Sequence, residues 1–216
     1  MPVGSPVKDN INLKTIENMK GKIWIVVLIV LAVLGMWMGS TYNKLVKAEE
    51  KVNSAWAQVE NVYQRRADLI PNLVNTVKGA ADFEQSTLTS VIEARAAATQ
   101  VKISPENLTA ESLAQFEQAQ GQVSSALGRL MVTVERYPDL KASQNFRDLQ
   151  AQLEGTENRI AVERKTFNEV VEVYNTRLRR FPTNLMAGMF GFEKKPYFAA
   201  QAGAETAPEV NFDFGK

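Results

Sequence analysis

Between Lys22 and Lys44 lie 21 residues without a charge, IWIVVLIVLAVLGMWMGSTYN. No other stretch limits the fold so strongly. At about 1.5 Å per residue, a helix over this run covers about 30 Å, the thickness of a bilayer's hydrocarbon. Trp24 stands at one end, and Trp37 and Tyr42 stand near the other, where amphipathic rings favour the headgroup level. A core helix of a soluble domain is seldom apolar on every face over such a length. A cleaved leader carries a shorter apolar run followed by a small-x-small site. The run is therefore expected to cross a membrane once, with the lipid bilayer as the first partner.

The chain carries 25 basic and 24 acidic residues, a net charge of +1, which gives no footprint for a nucleic acid. It has no cysteine and no histidine. That removes disulfides, thiolate nucleophiles, catalytic triads and the commonest metal ligand. A di-metal carboxylate bundle needs Glu-x-x-His pairs, and GMFGF is neither a P-loop nor a dinucleotide fingerprint. No enzyme activity and no cofactor are expected.

Residues 1–21 read as a mobile polar arm with a helical lead-in, 22–43 as the anchor, 44–182 as a helical bundle domain and 183–216 as a tail, docked or partly disordered. Lys8, Lys14, Lys20 and Lys22 precede the span, against Lys44, Lys47 and Lys51 after it. Positive-inside counting places the N-terminus in the cytoplasm and the bundle outside, and counting on to Arg65 and Arg66 reverses it.

After the span, Leu45, Ala48, Val52, Ala55, Val59 and Val62 step by three and four, with Trp56 and Tyr63 beside the seam. This predicts a helix continuing straight out of the membrane. Arg66 interrupts the stripe, which resumes at Leu69, Leu73 and Val77. Pro71 is expected to kink the helix or start a second piece, and Gly79 to stop it. A second, shorter helix is expected from about Phe83 to Val101, with Arg95 on its stripe.

Thr109 followed by Ser112 gives an imperfect capping box for the third helix. Its seam is Leu113, Phe116, Gln120, Val123, Leu127, Leu130, Val134 and Tyr137. YPDLKAS reads as a turn. The fourth helix has the seam Phe146, Leu149, Leu153, Thr156, Ile160, Glu163, Phe167, Val170, Tyr174, Leu178 and Phe181, closed by Pro182. The expected fold is all-α: a single N-terminal transmembrane helix continuing into an antiparallel bundle of the four-helix type.

Arg66, Arg95, Gln120 and Glu163 fall on apolar stripes, with Glu157 and Arg159 alongside. Buried unpaired charge is costly, so these residues are expected to form one structural polar cluster that fixes helix register. The competing reading is an internal site for an ion or small ligand. Glu49-Glu50 and Glu169-Glu172 read as solvated helix faces. In the tail, Phe190, Phe192, Tyr197 and Phe198, near Arg179, Arg180, Lys194 and Lys195, are expected either at the membrane interface or packed on protein.

The segments AWAQVENVYQRRADLIPNLVNTVKG (55–79), VIEARAAAT (91–99), ERYPDLKASQNFRDLQAQLEGTENRIAVERKTFNEVVEVYN (135–175), FPTNLMAGMFGF (181–192) and VNFDF (210–214) resemble, in this order, the LemA family of bacterial membrane proteins. The resemblance implies one N-terminal span, an all-α bundle and the bacterial plasma membrane, with the large domain in the cytoplasm. It implies no catalytic activity, cofactor or ligand. One branch is associated with magnetosome membranes, and some members lie beside genes for a membrane-bound zinc protease. Three functions are thus open: a scaffold that presents a helical surface to partners or to its own copies, an adaptor for a membrane protease or its substrates, and a hydrolase or ligand-binding receptor using the Arg66, Arg95, Glu157 and Glu163 cluster.

Overall fold

The computed structural model describes residues 7–79 and 83–199, with side chains from residue 22 onward. Among these residues there is no strand. The helices are α1 (Val7–Lys78), α2 (Gln85–Gln100), a single 3-10 turn (Pro105–Asn107), α3 (Ala110–Val134), α4 (Pro138–Ala142), α5 (Gln144–Arg179) and α6 (Thr183–Phe190). The chain divides into two compact units. One comprises Met1–Lys47 with Arg177–Phe192, the other Ala48–Thr176 with Glu193–Lys216. The side chains of the N-terminal arm, and the tail from residue 200 with its VNFDF motif, lie outside the described residues.

The first unit is built on the apolar run of α1. Ile23, Trp24, Leu28, Leu31 and Met36 are all exposed along it, which suits a helix whose solvent is lipid. The backbone is already helical from Val7, so much of the expected arm belongs to α1. Against the last turns of the run lie the end of α5 and α6, described below.

In the second unit α1, α2, α3 and α5 enclose the core. Trp56 of α1 meets Phe116 of α3, and Arg66 further along meets Gln120 and Ser124, so α1 and α3 run parallel. Phe167 of α5 sits at Trp56 and Glu157 at Arg66, so α5 runs opposite to both. This is the antiparallel bundle that the heptad stripes predict.

The seams differ from expectation in detail. On α1 the large rings of Trp56 and Tyr63 are buried, while Ala55 and Val62 flank them. Trp56 has the most apolar area to gain from the core, and its Nε1 donates to the Ile103 carbonyl at 3.1 Å. On α3, Ala119 and Ala126 are buried where Gln120 and Leu127 were expected. Small residues there, with Ala94 and Ala98 of α2, allow close approach between the two helices. On α5, Val171 rather than Val170 is buried, the drift of a 3.6-residue helix against a strict heptad. YPDLKAS forms the short helix α4 rather than an open turn. Thr109 and Ser112 complete a reciprocal capping box, the Ser112 hydroxyl taking the place of the usual acid.

Pro71 neither ends α1 nor starts a second piece: the helix passes through to Lys78. A proline has no N–H to give the carbonyl four residues back, which here is Ala67. Arg95 of α2 donates its Nε to that carbonyl at 2.7 Å. The guanidinium supplies the hydrogen bond that the proline cannot.

Candidate functional site

Arg66 is the most deeply buried charge described, 2% exposed. Its Nη1 donates to Ser124 Oγ and to Glu157 Oε2, both at 2.8 Å. Its Nη2 donates to Gln120 Oε1 at 2.7 Å and to the Gln120 carbonyl at 3.2 Å. The guanidinium also lies 5.1 Å from the centre of the Tyr63 ring. Glu157 stays 47% exposed, so the pair is half dry and keeps one partner hydrated. Among the described residues no buried side-chain nitrogen or oxygen lacks a hydrogen-bond partner.

Arg66, Gln120 and Glu157 therefore come together, and Arg95 does not join them through a carboxylate. It faces them across a cavity of about 190 Å³ lined by Glu60, Tyr63, Arg66, Arg95, Lys102 and Gln120 among others. Burial pushes the Glu60 carboxyl above its ordinary value. The Tyr63 phenol is raised by burial too, opposed by Arg164 and Arg66. Arg159 is exposed and Glu163 half-buried. Neither makes a hydrogen bond or ion pair among the described residues, because α5 has rotated Arg164 into the place expected of Glu163. Arg164 bonds Glu117 at 2.6 Å and lies 4.7 Å from the centre of the Phe198 ring.

The tail supplies a second polar arrangement that the stripes did not reveal. Residues 193–199 form an extended strap along α5 in the second unit. Asn175 donates to the Lys195 carbonyl at 2.8 Å and accepts from its N–H at 3.0 Å. Asn168 does the same for Phe198, at 3.1 and 2.9 Å. Tyr174 Oη donates to the Glu193 carbonyl at 3.0 Å and Arg164 to that of Ala199, also at 3.0 Å. A heptad of helix rises about 10.5 Å and three extended residues span about 10 Å, so the two asparagines meet residues 195 and 198 in register.

Phe198 is buried, stacked 6.0 Å from Trp56 and edge-on to Phe167 at 5.3 Å. Lys195 pairs with Glu49 at 3.1 Å, so Glu49 is not a purely solvated residue. Asparagine is a poor helix former, and two of them one heptad apart in α5 were the available signal. The four aromatics of the tail therefore separate: Phe198 is core, Tyr197 is exposed, and Phe190 and Phe192 belong to the first unit.

There Tyr42 meets Phe190 edge-on at 5.0 Å and Phe192 at 5.8 Å. A groove runs between Trp37, Thr41 and Lys44 of α1 and Arg180, Pro182 and Thr183. Arg177 donates to the Lys44 carbonyl at 3.3 Å. Gly191, at φ 73°, closes α6, and Phe192 donates back to the Ala187 carbonyl at 3.0 Å, a Schellman-type end that redirects the chain.

The chain is 27% identical over 182 residues to magnetosome protein MamQ 2 of Paramagnetospirillum magneticum, covering 76% of this chain and 67% of that protein. It has the same identity and coverage with magnetosome protein MamQ of Magnetospirillum gryphiswaldense. Protein LemA of Metamycoplasma hominis is 23% identical over 145 residues, 67% of this chain and 63% of that protein. The LemA family model matches residues 55–212, a range that holds Trp56, Arg66, Arg95 and both asparagine clamps, and the chain belongs to the LemA family.

Proposed function

We propose that this protein is a single-pass, membrane-anchored helical scaffold without a reaction centre, whose bundle surface serves partners or further copies of itself. The supporting observation is how its buried polar groups are used. Arg66 is occupied by Gln120, Ser124 and Glu157, and Arg95 by the Ala67 carbonyl. Both arginines are committed to joining helices, and a nucleophile-and-base pair has no place among them. Crosslinking in native membranes followed by affinity purification of the full chain tests the reading. Recovery of copies of the chain itself supports self-assembly. A stoichiometric membrane protease makes the scaffold an adaptor. A chain that stays monomeric and alone after crosslinking overturns the scaffold.

The cavity beside Arg66 supports a second reading, a receptor for a small anion. Arg95 and Lys102 bring cations to its wall, with Glu60 opposing them. Native mass spectrometry of the detergent-solubilised protein decides it. A retained anionic molecule, lost in Lys102→Ala, favours the receptor, and an unliganded mass argues against it.

A further inference from the structure

The uncharged stretch from Phe181 to Phe192, FPTNLMAGMFGF, leaves one apolar face uncovered. Phe181 is 80% exposed, Leu185 62% and Met189 69%. Leu185 and Met189 are one turn apart and share one face of α6, and Phe181 stands in the turn just before the helix. The other side is occupied: Met186 and Ala187 are buried, Phe190 meets Tyr42, and Thr183 faces the groove beside Trp37 and Thr41. A helix with no charge and apolar groups on both sides requires a cover on each.

The location of α6 identifies the second cover. Within the first unit it is fastened to the last two turns of the apolar run of α1, between Trp37 and Lys44. That run is itself exposed along its length, with an 18-residue window of mean hydropathy 2.4. The bare face of α6 thus adjoins a surface made for lipid, at the end where Tyr42 and Lys44 mark the headgroup level. Arg177, Arg179 and Arg180 stand immediately before it, where cations meet lipid phosphate.

We propose that α6 is an interfacial helix, a second membrane contact of this chain. Its Leu185 and Met189 face enters the boundary between headgroups and acyl chains together with the Phe181 ring just before it, and the three arginines bind lipid phosphates. Helices of this kind lie in the interface plane with their apolar face buried about 5–10 Å into the boundary of headgroups and acyl chains. The contact fixes the chain leaving α5 to the bilayer surface. The inference rests on α1 as the membrane anchor and is independent of the scaffold role.

Because the chain has no cysteine, an introduced one is a unique labelling site. The full chain carrying Leu185→Cys or Met189→Cys, each with an environment-sensitive fluorophore, is reconstituted in phosphatidylcholine/phosphatidylglycerol vesicles. Leu28→Cys, in the exposed apolar run, serves as the deep reference. At 185 and 189 a nitroxide near the lipid glycerol is expected to quench more than one near the chain end, with the reverse order at 28. Iodide in the water is expected to quench neither tail position, at any protein-to-lipid ratio. Iodide quenching at both positions places the face in water and overturns the proposal. Shielding that disappears when the protein is diluted with excess lipid assigns the cover to a second copy and overturns it equally. Two positions on one face guard against a single substitution that disturbs α6.

Discussion

Arg66 and Arg95 look alike in the sequence, each a cation on an otherwise apolar helical stripe, yet they do different work. Arg66 binds side chains from two other helices and holds α1, α3 and α5 in one register. Arg95 binds a main-chain carbonyl and repairs a single helix at the point where Pro71 removes a donor. The contrast shows that a cation on an apolar stripe can serve the packing between helices or the continuity of one helix. The partner's atom type, not the residue's stripe position, decides which.

Substitution separates the two roles most sharply at Arg66. Arg66→Leu is expected to destabilise the bundle by about 2–4 kcal/mol, since Gln120, Ser124 and Glu157 together lose the one charged donor that ties α3 and α5 to α1. Denaturant unfolding of the full chain in detergent measures it, and a loss below that of Arg95→Leu would reverse the contrast.

Arg95→Leu should cost less, about 1 kcal/mol, the lower end of the penalty for one unsatisfied carbonyl, since this one is only part-buried. Its partner is the Ala67 backbone rather than the carboxylate expected from the sequence, so no counter-charge is stranded. The cost should nearly vanish in a Pro71→Ala background, where residue 71 regains an N–H. Additive effects in that double-mutant cycle would sink the repair role.

Asn168 and Asn175 extend the backbone-directed class. Asn168→Ala removes both bonds to Phe198, and amide exchange should accelerate at Phe198 while residues around Arg66 keep their protection. Global loosening instead would mean that the strap is part of the bundle's cooperative core.

Glu60 gives the smallest effect. Burial raises its carboxyl above the ordinary value, so the folded chain holds this proton more tightly than the unfolded one. Its contribution is full below the unfolded pKa and is lost as pH rises through the folded pKa. Glu60→Gln, uncharged throughout, should therefore raise the Tm slightly at pH 7 and leave it unchanged in acid below the ordinary carboxylate range. The group is partly solvated, so screening keeps the gain small.

The periodicity of apolar residues made the helices, their order and their antiparallel arrangement legible, because burial of one face dominates helix packing. Arg66, Gln120 and Glu157, marked by their places on or beside the stripes, are hydrogen-bonded in the structure. What periodicity does not carry is rotation by one residue, which put Arg164 rather than Glu163 inside. Nor does it carry any bond that ends on a main-chain atom, since every residue has the same carbonyl. That is why the partner of Arg95 and the two asparagine clamps came only from the structure, although a proline inside a long apolar stripe already implies an orphaned carbonyl four residues earlier.

The strap's register limits how its sequence can change over generations. Each asparagine reads only an amide, so Lys194 and Tyr197, which point outward, are open to replacement without weakening the clamps. Proline is excluded at 195 and 198, whose N–H groups are donated, whereas the proline at 196 occupies a position where no N–H is asked for. Above all, the strap is intolerant of insertions and deletions. One residue gained or lost between Lys195 and Phe198 shifts the ring out of its pocket by about 3.3 Å, a fault that no side-chain substitution at either end corrects.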